Sequence, residues 1–139
     1  PMLNREILQS NRSLWAENGS EDYDLAITVE VDRQDKSRAE VSFRNGKITS
    51  QSYNGLAREG KDDSYTVEGL FRTMERELNL ALDGGITAST ILKAEFDSRL
   101  GFPVIFKKLT TRKGARSYVI RLEQLRSQGG GILFPIGQP

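Results

Sequence analysis

At 139 residues, with 37% hydrophobic and 28% charged side chains, the chain is sized for one domain burying roughly 68% of its unfolded surface, and no apolar run reaches the roughly 18 residues of a membrane span. It contains neither cysteine nor histidine, which removes disulfides, thiolate zinc sites, imidazole ligands and every nucleophile that depends on a cysteine or a histidine base. Its net charge of +1 hides a split: residues 1 to 98 hold 12 Lys and Arg against 18 Asp and Glu, whereas residues 99 to 139 hold 8 against 1.

Taken in chain order, Leu3, Ile7, Leu8, Leu14 and Trp15 fall at helical spacings and form one stripe. Asn18-Gly19 ends it, with Gly19 expected in the left-handed conformation that closes a helix. Strand alternation follows over residues 22 to 32. Tyr23, Leu25, Ile27, Val29 and Val31 face inward, and Asp22, Asp24, Thr28, Glu30 and Asp32 face outward. A second strand carries Ala39, Val41 and Phe43 inward, and Asn45-Gly46 predicts a type I′ hairpin into residues 47 to 53. That turn sets Phe43 opposite Ile48 and Val41 opposite Ser50, giving the third strand a weak inner face suited to an edge. Residues 54 to 64, "NGLAREGKDDS", read as a polar loop.

The second half opens on Thr66 as N-cap of a helix whose stripe is Val67, Leu70, Phe71, Met74, Leu78, Ala81 and Leu82, ending before Gly84-Gly85. Three alternating runs come next: Leu92, Ala94 and Phe96; Phe102, Val104 and Phe106; Tyr118, Ile120 and Leu122. "FDSRLGFP", residues 96 to 103, joins two of them as a hairpin turn around Gly101, with Pro103 placed on the outer face. The expected fold is α+β: tandem α-β-β-β halves, about residues 1 to 54 and 65 to 128, in a single domain over residues 1 to 128. Its antiparallel sheet has about six strands and carries both helices on one face. Residues 129 to 139, "GGGILFPIGQP", form a C-terminal tail. "WAENG" before "TVEVD" and "ALDGG" before "KAEFD" give the halves a faint echo.

The stretches "LWAENGSEDYDLAITVEV", "VSFRNGKITS", "YTVEGLFRTM" and "AEFDSRLGFP" occur in that order. Together they resemble a family of uncharacterised bacterial exported and lipoprotein-type domains over roughly residues 14 to 125. Phe102 stands where that family more often has tyrosine, and the cysteines that several relatives carry near the first strands are missing. The resemblance implies a bacterial extracytoplasmic setting and brings no known activity. No basic stretch followed by an apolar run opens the chain, so no signal peptide is read in it.

Candidate sites are few. Ile91, Ile105, Leu109 and Val119 point outward in the expected register and form an apolar patch. The patch would serve a protein partner or self-association, unless Ile132, Leu133, Phe134 and Ile136 of the tail fold back over it. Lys107, Lys108, Arg112, Lys113 and Arg116 make the basic end. It is either a surface for an anionic partner or a set of basic strands lying beside acidic ones, and the second is the plainer reading. Nucleic acid is disfavoured because no aromatic platform accompanies those charges. Glu17, Glu21, Asp22 and Asp24 could hold a cation through oxygen, yet they lack the glycine-punctuated spacing of a calcium loop. Asp97 is an acid at a turn with no partner nucleophile in sequence. No cofactor fingerprint is present, and no cofactor is expected. The leading expectation is a binding or interaction module without catalysis, and the alternative is a hydrolase working through carboxylates.

Overall fold

In the computed structural model of the chain, which describes residues 1–59, 62–83, 89–128 and 131–135, Asn4 opens the first helix, α1 (Arg5–Asn18), by accepting the Ile7 N–H on its side chain at 2.8 Å. Capping there satisfies a donor that the first turn leaves unpaired. It also removes Leu3 from the helical stripe in which the spacing placed it. Pro1 to Leu3 run instead as an extended segment along the fifth strand, where the Leu3 N–H donates to the Leu92 carbonyl at 2.9 Å and the Ala94 N–H to the Pro1 carbonyl at 3.1 Å. Gly19 is extended, with φ −79° and ψ 176°, and not left-handed. Its need for glycine is steric, since a Cβ would run into the Trp15 ring.

The remaining elements are β1 (Tyr23–Val31), β2 (Asp35–Arg44), β3 (Lys47–Tyr53), β4 (Leu56–Ala57), α2 (Val67–Asp83), β5 (Thr90–Phe96), β6 (Pro103–Thr110), β7 (Tyr118–Ser127) and β8 (Gly131–Phe134). The strands form one antiparallel sheet in the order β4-β3-β2-β1-β7-β6-β5, with β8 paired to β7. The α+β expectation holds, but among the described residues the sheet has eight strands where about six were expected. One addition is β4. Asn54 and Gly55 take φ 51° and 82°, much as Asn45 and Gly46 take 53° and 77°, so a second Asn-Gly turn folds the start of the supposed loop back onto β3. The other is β8, which brings part of the tail into the sheet beside Leu125, Arg126 and Ser127.

The two meanders meet through β1 and β7, the first strand of one and the last of the other. The helix therefore leads into a central strand in the first half and into an edge-side strand in the second. This junction brings β1, which carries Asp24 and Glu30, beside β7, which carries Arg121, Glu123 and Arg126, with Asp24 opposite Arg126 in the register. Residues of one strand parity join both helices in one core. Leu8 and Trp15 of α1 and Val67, Leu70, Phe71, Met74, Leu78 and Ala81 of α2 pack with Tyr23, Leu25, Ile27, Val29, Leu92, Ala94, Phe106, Ile120 and Leu122. Leu82, counted in the helical stripe, is exposed, and Gly84-Gly85 lies outside the described residues.

Among the described residues four register breaks adjust the simple alternation, one of them on β8, where Leu133 is extra between Ile132 and Phe134. Thr49 is an extra residue on β3, so Val41 faces Gln51 and not Ser50, while Phe43 keeps Ile48. Glu123 is extra on β7, which lets Leu122 and Leu125 both turn inward. Val104 is extra on β6 beside Pro103, and Pro103 is buried where the outer face was expected. The intervening turn is held by Asp97, whose Oδ2 accepts the Arg99 and Leu100 N–H groups at 3.1 and 2.8 Å. Gly101 has φ +85°, and a Cβ on it would strike the Asn11 carbonyl of α1. The "FDSRLGFP" stretch is a structural turn that seats α1 on the sheet.

Candidate functional site

Thr73, Arg76 and Glu77 of α2 border one cleft with Val29 and Val31 at the end of β1 and with Tyr118 and Ile120 at the start of β7. The start of α2 is fixed three ways. Thr66 Oγ1 accepts the Gly69 N–H at 3.0 Å, the Tyr23 hydroxyl accepts the Val67 N–H at 3.0 Å, and Asp63 pairs with Arg72 at 2.5 Å. Gly69 allows the preceding loop to lie on this first turn, because a Cβ there would collide with the backbone of Asp63 and Ser64. Asp62 shapes the loop by accepting the Ser64 hydroxyl and N–H at 2.6 and 3.0 Å, and these bonds hold its carboxyl below the usual carboxylate range. Tyr65 is thereby set as one wall of a cleft between loop, helix and sheet.

Within that cleft Glu77 is 8% exposed, a carboxylate on the flank of the apolar stripe of α2. Burial of an ionised carboxylate is unfavourable unless it is paired and hydrogen-bonded. Here both requirements are met. Lys108 Nζ donates to its two oxygens at 3.2 and 3.1 Å, and the Tyr118 hydroxyl donates to Oε2 at 2.5 Å, in the short range of charge-assisted bonds. The Lys108 ammonium also lies 5.6 Å from the centroid of the Tyr118 ring. Burial, and then the hydrogen bond to a carboxylate that favours the protonated phenol, push Tyr118 far above its ordinary value. Tyr65 is pushed up by burial as well. Lys108 and Tyr118 sit opposite one another in the β6–β7 register, which is how two separate strands supply the pair.

The open part of the cleft has a volume of about 330 Å³ and is bounded by Val29, Val31 and Ile120 below and by Tyr65, Tyr118, Thr73, Arg76 and Glu77 around it. An apolar floor with a few polar groups on its walls suits a small ligand. A larger groove of about 420 Å³ lies on the opposite, uncovered face of the sheet, along Ser42, Ser50, Ser52 and Gln124. Its charges are already matched, Arg38 to Glu40 and Arg44 to Asp24 at 3.0 Å each, and no aromatic side chain borders it.

The residues singled out from sequence are scattered. Ile91, Ile105, Leu109 and Val119 do lie on the outer face, with Ile91 opposite Leu109. The row of Lys93, Lys107 and Val119 separates that pair from Ile105, which is flanked by Glu95 and Arg121. The tail does not cover them. Among the described residues it follows β7 at the far end of the sheet, where Leu133 and Phe134 pack on the core and the Phe134 ring meets Phe102 edge-on at 6.3 Å; Ile136 lies outside the described residues. The basic end divides as well. Lys107 is on the outer face, Lys108 on the helix face with Glu77, and Arg112, Lys113 and Arg116 in the β6–β7 turn. Of the acidic group, Asp22 accepts the Asn45 N–H at 2.9 Å and Asp24 pairs with Arg44. Among the described residues no three such side chains gather as metal ligands.

No protein-family model matches the chain, and a search of the curated proteins finds no match. No helix among the described residues is long and apolar enough to cross a membrane.

Proposed function

We propose that the chain is a small binding module that works through the α2–sheet cleft and performs no chemistry of its own. The observation that carries this reading is the state of Glu77: its carboxylate accepts three hydrogen bonds from Lys108 and Tyr118, two on Oε2 and one on Oε1, at the wall of an open cleft. A general base needs a free lone pair facing the substrate proton. A carboxylate committed to two neighbours instead stiffens the wall, and walls held before a ligand arrives lose less freedom on binding. The hydrolytic alternative draws no comparable support from Glu77. The bacterial extracytoplasmic setting belongs to the proposal too, and rests on the four sequence stretches that resemble the exported family. The arrangement as tandem α-β-β-β halves is likewise a reading of element order.

Amide NMR shifts of the whole chain, titrated with a panel of small aromatic and aliphatic compounds, test the reading. Shifts should gather on Val29, Val31, Thr73, Arg76 and Ile120, with no product formed. Turnover of an ester, amide or glycoside that disappears in Glu77→Gln would overturn it in favour of the enzyme.

A further inference from the structure

We infer that the cleft takes a small amphipathic anion, with an aromatic or branched aliphatic body on the Val29, Val31 and Ile120 floor and a carboxylate-type group at Arg76. This rests on the reading of the cleft as a binding site and adds the charge of its ligand. The inference comes from counting which groups are already matched. Along α2, Glu68 and Glu75 pair with Arg12 of α1, Arg72 pairs with Asp63, and Glu77 pairs with Lys108. Arg76 makes no hydrogen bond or ion pair among the described residues, although it borders the cleft and lies close enough to Tyr118 to oppose the rise of its phenol. Thr73, one turn earlier on the same side of the helix, borders the cleft with no hydrogen bond from its side chain among the described residues. Three donors without hydrogen-bond partners among the described residues, the Arg76 guanidinium and the Thr73 and Tyr65 hydroxyls, border the same cleft as the apolar floor.

A cation would be the opposite choice, since Glu77 and two tyrosines resemble a cation cage. That role is filled from within. Lys108 occupies both the carboxylate and the Tyr118 ring, so an incoming ammonium would have to displace it. The cleft therefore carries one uncompensated positive charge, and an anion with an apolar body meets both halves of its lining.

Three probes of nearly equal shape decide the matter: phenylacetate, phenylacetamide and phenethylamine, each titrated into the whole chain by NMR and calorimetry. Phenylacetate should bind about tenfold more tightly than the other two, and Arg76→Gln should bring it level with the amide. Thr73→Val should weaken the carboxylate by a smaller factor. Arg76 is exposed, so an unchanged melting curve accompanies the expected result. Equal affinity for all three, or preference for the amine, overturns the anion inference and leaves the binding module standing. Failure of all three to shift the cleft residues overturns both.

Discussion

The two ends of the helix-covered face are built from unlike material. Where β1 begins, Trp15 meets Tyr23 and Phe102 edge-on at 6.0 Å each, Phe43 stacks on Tyr23 at 4.9 Å, and Phe134 closes over Phe102. That end is sealed. Gly19 and Gly101 let helix, turn and ring approach without a Cβ between them. Where β1 ends, the same face holds Glu77, Lys108 and Tyr118 beside an open cleft. Aromatic packing fills space at the first end, whereas the polar cluster satisfies its own charges and leaves room next to them. The contrast teaches a division of labour: one end packs the fold with aromatic rings, and the other leaves the cleft that we propose as the binding site.

The largest expected effect breaks the sealed end. Phe102 is fully buried, and Phe102→Ala should cost about 3–5 kcal/mol in urea unfolding; a loss below about 1 kcal/mol would show that the aromatic end is not what holds the fold. At the other end, Lys108→Met leaves Glu77 without its cation. Because the Lys108 side chain keeps 18% of its exposure, the cost should fall at about 1–3 kcal/mol. Adding Glu77→Gln should recover part of it, and a double variant no better than Lys108→Met would contradict the pairing.

A pH titration sharpens the comparison, since each end contains a tyrosine with a raised phenol. Burial pushes Tyr23 up from 10.0 to about 12. A folded pKa above the unfolded value means that the folded state keeps its proton longer. The stability is therefore fully present below about pH 10 and falls as pH rises toward 12, by about 1.4 kcal/mol per pH unit for each such tyrosine. Tyr23→Phe and Tyr118→Phe should each flatten the alkaline decline followed by denaturant melts. The smallest effect is expected on the cleft rim, where Arg76→Gln should change stability by less than about 0.5 kcal/mol. A larger loss would make Arg76 part of the scaffold.

How much of this was legible depended on which rule reached a given residue. Period-two alternation placed Tyr23, Leu25, Ile27 and Val29 on the core side, and the helical period found most of the buried stripe of α2. Asn45-Gly46 stands between two alternating runs and so signals its hairpin, whereas the same dipeptide at residues 54 and 55 leads into the two-residue β4, hidden by the polar residues that follow it. Bulges at Thr49, Val104 and Glu123 have no composition signature, because an extra residue shows only against its partner strand. The cleft was partly in view. Alternation from Phe106 already turns Lys108 inward, and Tyr118 was assigned inward. Lys108 sits in a run of charged neighbours that masks this parity, and Glu77 lies at the border of an apolar stripe where a carboxylate gives no periodic signal. Their meeting depends on β6 lying between β7 and β5 beneath α2, a contact across 31 residues for Lys108 and 41 for Tyr118 that no local pattern encodes.

The most direct measurement is of intermolecular NOEs between bound phenylacetate and the methyl groups of the chain. The account expects them to Val29, Val31 and Ile120 on the cleft floor. NOEs to Ile91, Ile105, Leu109 and Val119 instead would put the ligand on the uncovered face of the sheet and contradict the assignment of the open end as the binding site.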